Sequence, residues 1–483
     1  MDAWEKAKQH CEEIISLHPE HAEAYNNLAI LYEKKNDYSN ALKNYAIAVN
    51  LQPDYIIAHH NLGLFFLKHN QIDAAIVQFS NVLELNASLS THYYLGNCYL
   101  AKNQLDLAKE QYLEALKFSP EHSDTLNNLG VTCLKKEESQ LAIDYFTKAL
   151  AYDINHEDAR NNLAATFMQY DRYENAARHY RELLQNHPEN TEYHYNIAVA
   201  YMNLGHLDEA IEHFESVLAK NPNHPASLNN LAAVYWRLGK KSKTKILLSR
   251  ALEVEPENQA SQYLLSAATH QENYTQAPEE YVKNLFDNYA IQYDNHLCQE
   301  LHYQLPAKIG ELLSHYLPPQ QKLNTILDLG CGTGLLGQYL KNHCHNLWGV
   351  DLSEKMLTYA KKIGWYDQLY CDEVLHFLRN TTEQFDLIAA GEVFEYFGDL
   401  SAIFTMIAKR LSPRGLFICS IEPTTEKEDF ILQETARFAH NTEYIQYLAE
   451  KNHLKIVEKI SFSARLQNHK PLPSYLFLFQ TII

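Results

Sequence analysis

The chain has 483 residues and a formal charge of −19 at pH 7. That length exceeds one ordinary domain unless a repeat lets one element grow, and no apolar run reaches the roughly 18 residues a membrane-spanning helix needs. The acid excess runs through both parts, 23 Lys and Arg against 35 Asp and Glu over residues 1–278 and 18 against 25 beyond, which repels phosphate backbones and excludes nucleic acid as an expected partner.

The chain opens on MDAWEKAKQH, without the apolar h-region of a secretory signal. Self-similarity then appears at a 34-residue period. Leu28-Ala29, Leu62-Gly63, Leu95-Gly96, Leu129-Gly130, Leu163-Ala164, Ile197-Ala198 and Leu231-Ala232 open the first helix of seven units. Thirteen residues after each Leu or Ile comes Ala41, Ala75, Ala108, Ala142, Ala176 or Ala210, with Thr244 in the seventh unit. One helical turn further stand Tyr45, Phe79, Tyr112, Phe146, Tyr180 and Phe214. Pro53, Pro120, Pro188, Pro222 and Pro256 end second helices, because proline cannot continue a helix. These marks resemble the tetratricopeptide repeat family over residues 21–258, with half-units at 1–20 and 259–270. The resemblance implies an all-α superhelical solenoid over 1–270 whose concave face binds an extended protein or peptide ligand.

Packing accounts for most of those marks but not for asparagine just before the signature Leu or Ile in six units. These are Asn27, Asn61, Asn128, Asn162, Asn196 and Asn230, with Tyr94 as the exception. Mid-helix Asn costs about 0.6 kcal/mol against Ala. Its amide offers an acceptor and two donors that match a peptide group. The six resemble the asparagine ladder of the O-linked N-acetylglucosamine transferase family, which implies peptide-backbone binding; the alternative is bonding to the neighbouring repeat or to water.

The register is lost in a polar stretch at 271–280, read as a linker. Beyond it, over 281–483, short apolar or β-branched runs at 325–329, 347–351, 368–371, 385–390, 416–421, 455–461 and 475–481 read as seven strands. Five alternate with helices, which predicts a parallel, doubly wound α/β sheet of Rossmann-like type, with an edge that can include an antiparallel strand.

At the end of the first strand stands ILDLGCGTG, residues 326–334. Gly330, Gly332 and Gly334 permit a tight turn whose backbone N–H groups can meet a ligand. Seventeen residues past Gly334, GVDLS places Asp351 where a carboxylate can accept both hydroxyls of a ribose. Gly332-Thr-Gly334-Leu-Leu-Gly337 also satisfies a dinucleotide fingerprint. Asp328 separates the two readings, since a carboxylate two residues before Gly330 repels a pyrophosphate but suits a sulfonium with an α-amino group.

The segment resembles motif I of the class I S-adenosylmethionine-dependent methyltransferases; VDLSEKML and YCDEVL resemble their next two motifs. The resemblance implies S-adenosylmethionine as cofactor, its amino-acid end held by Asp328, Gly330, Cys331, Gly332 and Gly334. Asp351 would then hold the ribose, Met356 pack on the adenine and Asp372 bond its amino group, with Leu352 and Glu373 beside them. The segments LFDNYAIQYDNHL, FEYFGDL and RFAHNTEYIQYLAEKN are similar to a group of predicted bacterial methyltransferases that carry tetratricopeptide repeats.

Methyl transfer from a sulfonium needs alignment and water exclusion more than catalytic side chains. Candidates are Glu392 for a substrate contact, His440 as a base near neutral pH or else a solvated or core histidine, and Tyr289, with Tyr293, on an aromatic helix that can act as a lid or pack on the sheet. AAGEVFEY after the fourth strand lacks the NPPY or DPPY loop that binds planar amides and adenine amines. Eight cysteines without CxxC pairs, and an HCH cluster at 343–345 that is too short, predict no metal site and fit a reducing cytoplasm. Three functions follow from the pattern: a methyltransferase acting on a protein or peptide recruited by the repeats, a small-molecule methyltransferase whose repeats mediate assembly or localisation, or a non-catalytic adaptor.

Overall fold

A computed structural model of the chain describes residues 3–269, 274–290, 293–295, 297, 301, 303–318, 322–467 and 470–482. Two compact units emerge, Met1–Ala200 and Tyr201–Ile483. The division falls inside the helix Thr191–Leu204. Within the second unit, the helix Gln259–Thr269 shares an apolar core with the α/β part, as shown below.

The first unit is built of helical hairpins such as Ala22–Lys34 with Tyr38–Leu51 and Leu89–Ala101 with Leu105–Phe118. The periodic alanines Ala41, Ala75, Ala108, Ala142 and Ala176 are fully buried. So are the aromatic knobs Tyr45, Phe79, Tyr112, Phe146 and Tyr180. The knobs explain the glycines: a Cβ on Gly63, Gly96 or Gly130 would lie 2.8, 2.5 or 2.6 Å from the ring of Phe79, Tyr112 or Phe146. Each hairpin turns through a left-handed residue, Asn36, Asn70, Asn103, Glu137 and Asp171 in turn. None is glycine, although that conformation suits glycine best.

The second unit continues with Leu207–Lys220, Pro225–Arg237, Lys241–Val254 and Gln259–Thr269, followed by the helix Glu279–Tyr289. Its sheet strands are β1 Leu323–Leu329, β2 Cys344–Asp351, β3 Gln368–Cys371, β4 Phe385–Ala390, β5 Leu411–Ile421, β6 Pro423–Thr424, β7 Phe430–Leu432, β8 Phe438–Asn441, β9 Leu454–Gln467 and β10 Lys470–Thr481. The main sheet has the order β3-β2-β1-β4-β5-β10-β9. Its first five strands are parallel, and β10 runs antiparallel to both β5 and β9. Fully buried Leu327, Leu329, Ile388, Phe417 and Phe479 form one face's core, and Ile326, Leu347, Leu387, Ile418 and Leu478 the other.

The sequence reading did not anticipate the three-stranded sheet β6-β8-β7. Against it packs Tyr263 of the helix Gln259–Thr269, in one buried cluster with Ala267, Ala277, Tyr396, Ala436 and Phe438. The Tyr263 hydroxyl donates to the carbonyl of Ala436 at 3.0 Å. No helix among the described residues is long and apolar enough to cross a membrane.

Candidate active site

Chain order reverses between β1 and β4, which lie side by side. In open parallel sheets the crevice at such a switch point, off the carboxyl ends of the strands, is where ligands bind. On one wall the loop after β1 passes through positive φ at Gly330 (65°), Gly332 (53°) and Gly334 (97°). A Cβ on Gly330 would meet Cγ2 of Val393 at 2.4 Å, whereas one on Gly332 meets only the Tyr293 ring at 3.9 Å. Gly330 is therefore required by packing, and Gly332 leaves bare backbone toward the opening.

Asp351 ends β2 with its carboxylate accepting from Gly332 N at 2.9 Å and Ser353 N at 2.8 Å. Burial raises its carboxyl to about 6 in spite of those bonds. Asp328, 1% exposed, accepts from the Tyr366 hydroxyl at 2.7 Å, and burial lifts it to about 7. Asp328 lines the cavity with Gly330, Cys331, Gly332, Gly391, Tyr293 and Tyr303. Cys331 is buried, its amide bonded to Val350 O. Met356 is fully buried beneath the helix cap formed by Ser353, and Leu352 is half-buried beside Asp351.

The next pair is engaged locally. Asp372 receives His376 Nδ1 at 2.7 Å, while Glu373 caps the helix Val374–Asn380 by accepting from Leu375 N and His376 N. Both carboxylates are engaged: capping occupies both Glu373 oxygens, and Asp372 also accepts from the Glu373 amide at 2.8 Å. Two tethers cross the mouth: Ser353 Oγ donates to Asp287 at 2.5 Å and Thr333 Oγ1 to Asp294 at 2.5 Å. Tyr289 closes the helix Glu279–Tyr289, and its side chain lies outside the described residues.

The opposite wall begins at Gly391 and Glu392, just past β4. Glu392 has φ 54° and donates its amide to Ser420 Oγ at 2.8 Å. Its carboxylate faces Arg437 at 3.4 Å and Arg465 at 3.3 Å. Arg437 also pairs with Glu422 at 2.6 Å and approaches Glu395 at 3.8 Å. Burial, with the neighbouring Glu392 and Glu422 adding to it against Arg437, raises Glu395 to about 8. Sequence reading singled out neither arginine nor Tyr366. Tyr366 meets Asp328 across 38 residues of chain, and Arg437 and Arg465 meet Glu392 across 45 and 73, so no local motif marks them.

His440 does not join this wall as a base. It is fully buried, its Nε2 bonding the carbonyls of Phe397 at 2.8 Å and Gly398 at 3.1 Å, and burial lowers it to about 4. A ring so placed stays neutral near pH 7 and ties the loop after β4.

Among the repeat asparagines, three spend an amide hydrogen on the preceding repeat. Asn61 donates to Asn26 at 3.0 Å, Asn128 to Asn97 at 2.9 Å and Asn162 to Asn127 at 2.9 Å. Asn128 also accepts from Asn127 at 3.1 Å. Asn27 is exposed and accepts from Asn26 at 3.5 Å; Asn196 bonds the Tyr180 hydroxyl, and Asn230 is half-buried.

Residues 301–469 match a methyltransferase domain family, and residues 10–43, 90–122, 123–156, 161–225 and 205–268 match tetratricopeptide repeat families. A malonyl-[acyl-carrier protein] O-methyltransferase of Priestia megaterium is 30% identical over 149 residues, 29% of this chain and 50% of the relative. A ubiquinone biosynthesis O-methyltransferase of Coxiella burnetii is 33% identical over 100 residues, 20% of this chain and 43% of the relative. The N-methyltransferase NodS from Bradyrhizobium japonicum WM9, solved with S-adenosyl-L-homocysteine, superimposes with a TM-score of 0.31 at 21% identity over 37% of this chain and 87% of its own. The chain spans about half or less of the length of the curated relatives it matches. The chain thus joins regions that match tetratricopeptide repeat families to one that matches a methyltransferase domain family.

Proposed function

We propose that the chain is an S-adenosylmethionine-dependent methyltransferase acting on a protein or peptide recruited by its repeats. The observation that carries the first half is the crevice between β1 and β4. Bare glycine backbone and two carboxyls, Asp328 and Asp351, converge there. An α-ammonium suits Asp328, a ribose diol suits Asp351, and in this reading the adenine lies toward Met356 and Asp372. Bound there, S-adenosylmethionine supplies an electrophilic methyl group. The chain's part is to orient the ligand, to exclude water with Tyr293 and Tyr303, and to present the acceptor in line from the Glu392 wall. In this reading residues 1–270 capture, 271–280 connect and 281–483 catalyse.

The polypeptide acceptor rests on the in-phase asparagines, which a linked catalytic site would exploit by raising the local concentration of a captured segment. The internal bonds of Asn61, Asn128 and Asn162 favour the second reading, in which the repeats assemble or localise an enzyme for small molecules. The two part company when the purified chain is incubated with methyl-labelled cofactor and a lysate split into proteins and metabolites. Label in protein is the expected result. Label only in metabolites refutes the protein acceptor, and no label with no cofactor binding leaves a non-catalytic adaptor.

A further inference from the structure

The three-stranded sheet ends on one side in β7, which pairs with β8 and with no other strand among the described residues. Antiparallel pairing turns the backbone of alternate residues toward the partner. Asn441 N donates to Asp429 O at 2.9 Å and Gln433 N to Arg437 O at 2.8 Å, so Asp429, Ile431 and Gln433 face β8. The amides and carbonyls of Phe430 and Leu432 therefore face away from the sheet. His440 fits this register: it lies opposite Phe430 but sends its own amide to Glu422 O at 2.8 Å, on its far side. Among the described residues, neither Phe430 nor Leu432 makes a backbone hydrogen bond on its outward side. Such an edge is a template for another strand.

The charges around the edge select what can fill it. β7 borders an open hollow lined by Ile431, Leu432, Glu426, Glu428 and Glu434. Glu434 is paired with Lys241. Glu426 and Glu428 are exposed and make no ion pair among the described residues, and Lys427 between them does not line the hollow. Arg437, at the end of β8, is turned to the buried Glu422 and to Glu392. Two carboxylates thus remain beside the open edge without a cation. A second copy of the chain would bring the same two carboxylates, so pairing of β7 with itself is opposed, whereas a basic strand is attracted. A Cβ on Gly398 would lie 2.5 Å from the Phe430 ring, so β7 packs against the loop that follows Glu392.

We propose that β7 docks an extended polypeptide segment rich in Lys or Arg, which adds as a fourth strand to β6-β8-β7. Its backbone meets the outward amides and carbonyls of Phe430 and Leu432. One of its apolar or β-branched side chains packs on Ile431, and its cations face Glu426 and Glu428. Backbone pairing supplies the hold and the carboxylates the selectivity. The edge belongs to the α/β part, so this docking stands apart from capture by the repeats and from the cofactor crevice.

The test uses the full chain and three dye-labelled peptides, each about eight residues long to match a strand, followed by fluorescence anisotropy at low salt. One alternates Lys with Thr, the second alternates Glu with Thr, and the third is the Lys peptide with its backbone amides N-methylated. The Lys peptide should bind saturably, and each of the other two at least about tenfold more weakly, because one loses the charge match and the other the backbone pairing. Joint Glu426→Gln and Glu428→Gln substitution, at two exposed positions, should weaken the Lys peptide about two- to thirtyfold, and less as salt rises. Hydrogen exchange followed by mass spectrometry should slow across 428–434 when that peptide is bound, since the Phe430 and Leu432 amides gain acceptors. No binding, equal binding of the Glu or N-methylated peptide, undiminished affinity in the glutamine variant, or protection confined to residues 1–270 would each overturn the proposal. So would a dimer in sedimentation whose protected segment is 428–434, which would make a second copy the occupant.

Discussion

Removing one oxygen atom, the Tyr366 hydroxyl, tests whether Asp328 acts in the crevice as an anion. That hydroxyl donates to Asp328 at 2.7 Å and opposes the burial that lifts the carboxyl to about 7. A hydrogen bond to a charged group contributes about 1.5–3 kcal/mol, or about one to two pKa units. Tyr366→Phe should therefore move Asp328 to about 8–9 while keeping the ring that packs on Gly334, Gly337 and Gly349. At pH 7 the ionised fraction falls from about one half to about one tenth or less. Affinity for a ligand bearing an α-ammonium should fall at least about fivefold, and the deficit should shrink to about twofold or less by pH 9. The sign is that of a raised carboxyl: the anion, and the affinity with it, is present above the pKa and lost as pH falls through it. The same shift makes the native chain bind more protons than the unfolded one between about pH 4 and 7, so ligand-free stability from this group declines as pH rises over that window. Calorimetric titration of S-adenosylhomocysteine from pH 6 to 9 measures the first effect. A loss equal at every pH, or none at pH 7, would refute the role given to Asp328.

Three further outcomes follow from the repeats. Gly96→Ala places a Cβ within 2.5 Å of the fully buried Tyr112 ring and should destabilise by about 1–3 kcal/mol in a urea melt; an unchanged midpoint contradicts the packing argument. Glu137→Gly, at φ 62°, should stabilise by up to about 1 kcal/mol once the entropy of the unfolded glycine is counted, and a loss in the same melt would contradict the strain assigned to that turn. Asn162→Ala leaves Asn127 Oδ1, on a residue 6% exposed, without its donor. It should cost about 1–3 kcal/mol, and a neutral effect would show that Asn162 is free for a ligand.

The repeats were legible because each mark is a packing rule repeated at one spacing, Gly96 and Tyr112 among them, although only the structure shows that these two meet. The left-handed turn residues were not, since Asn, Glu and Asp stand where glycine would have announced the conformation. In the α/β unit, strands that alternate with helices declare themselves locally. The pieces β6, β7 and β8, two to four residues long, acquire their structure only by pairing with one another. The glycine loop and Asp351 lie within one supersecondary unit and so form a readable motif. Arg437, Arg465 and Tyr366 converge from three distant segments, which no spacing rule records. Residue type alone leaves His440 between a base and a core histidine; burial and the carbonyls of Phe397 and Gly398 make it a loop anchor.

The claim that the β1–β4 crevice holds the cofactor is tested most directly by titrating S-adenosylhomocysteine into the full chain and into Asp351→Ala at pH 8, where both carboxyls of the unaltered crevice are ionised. Saturable one-to-one binding that is lost in the variant, with its melting transition retained, is the predicted result. Undiminished affinity in Asp351→Ala, or no binding to the unaltered chain, would contradict it.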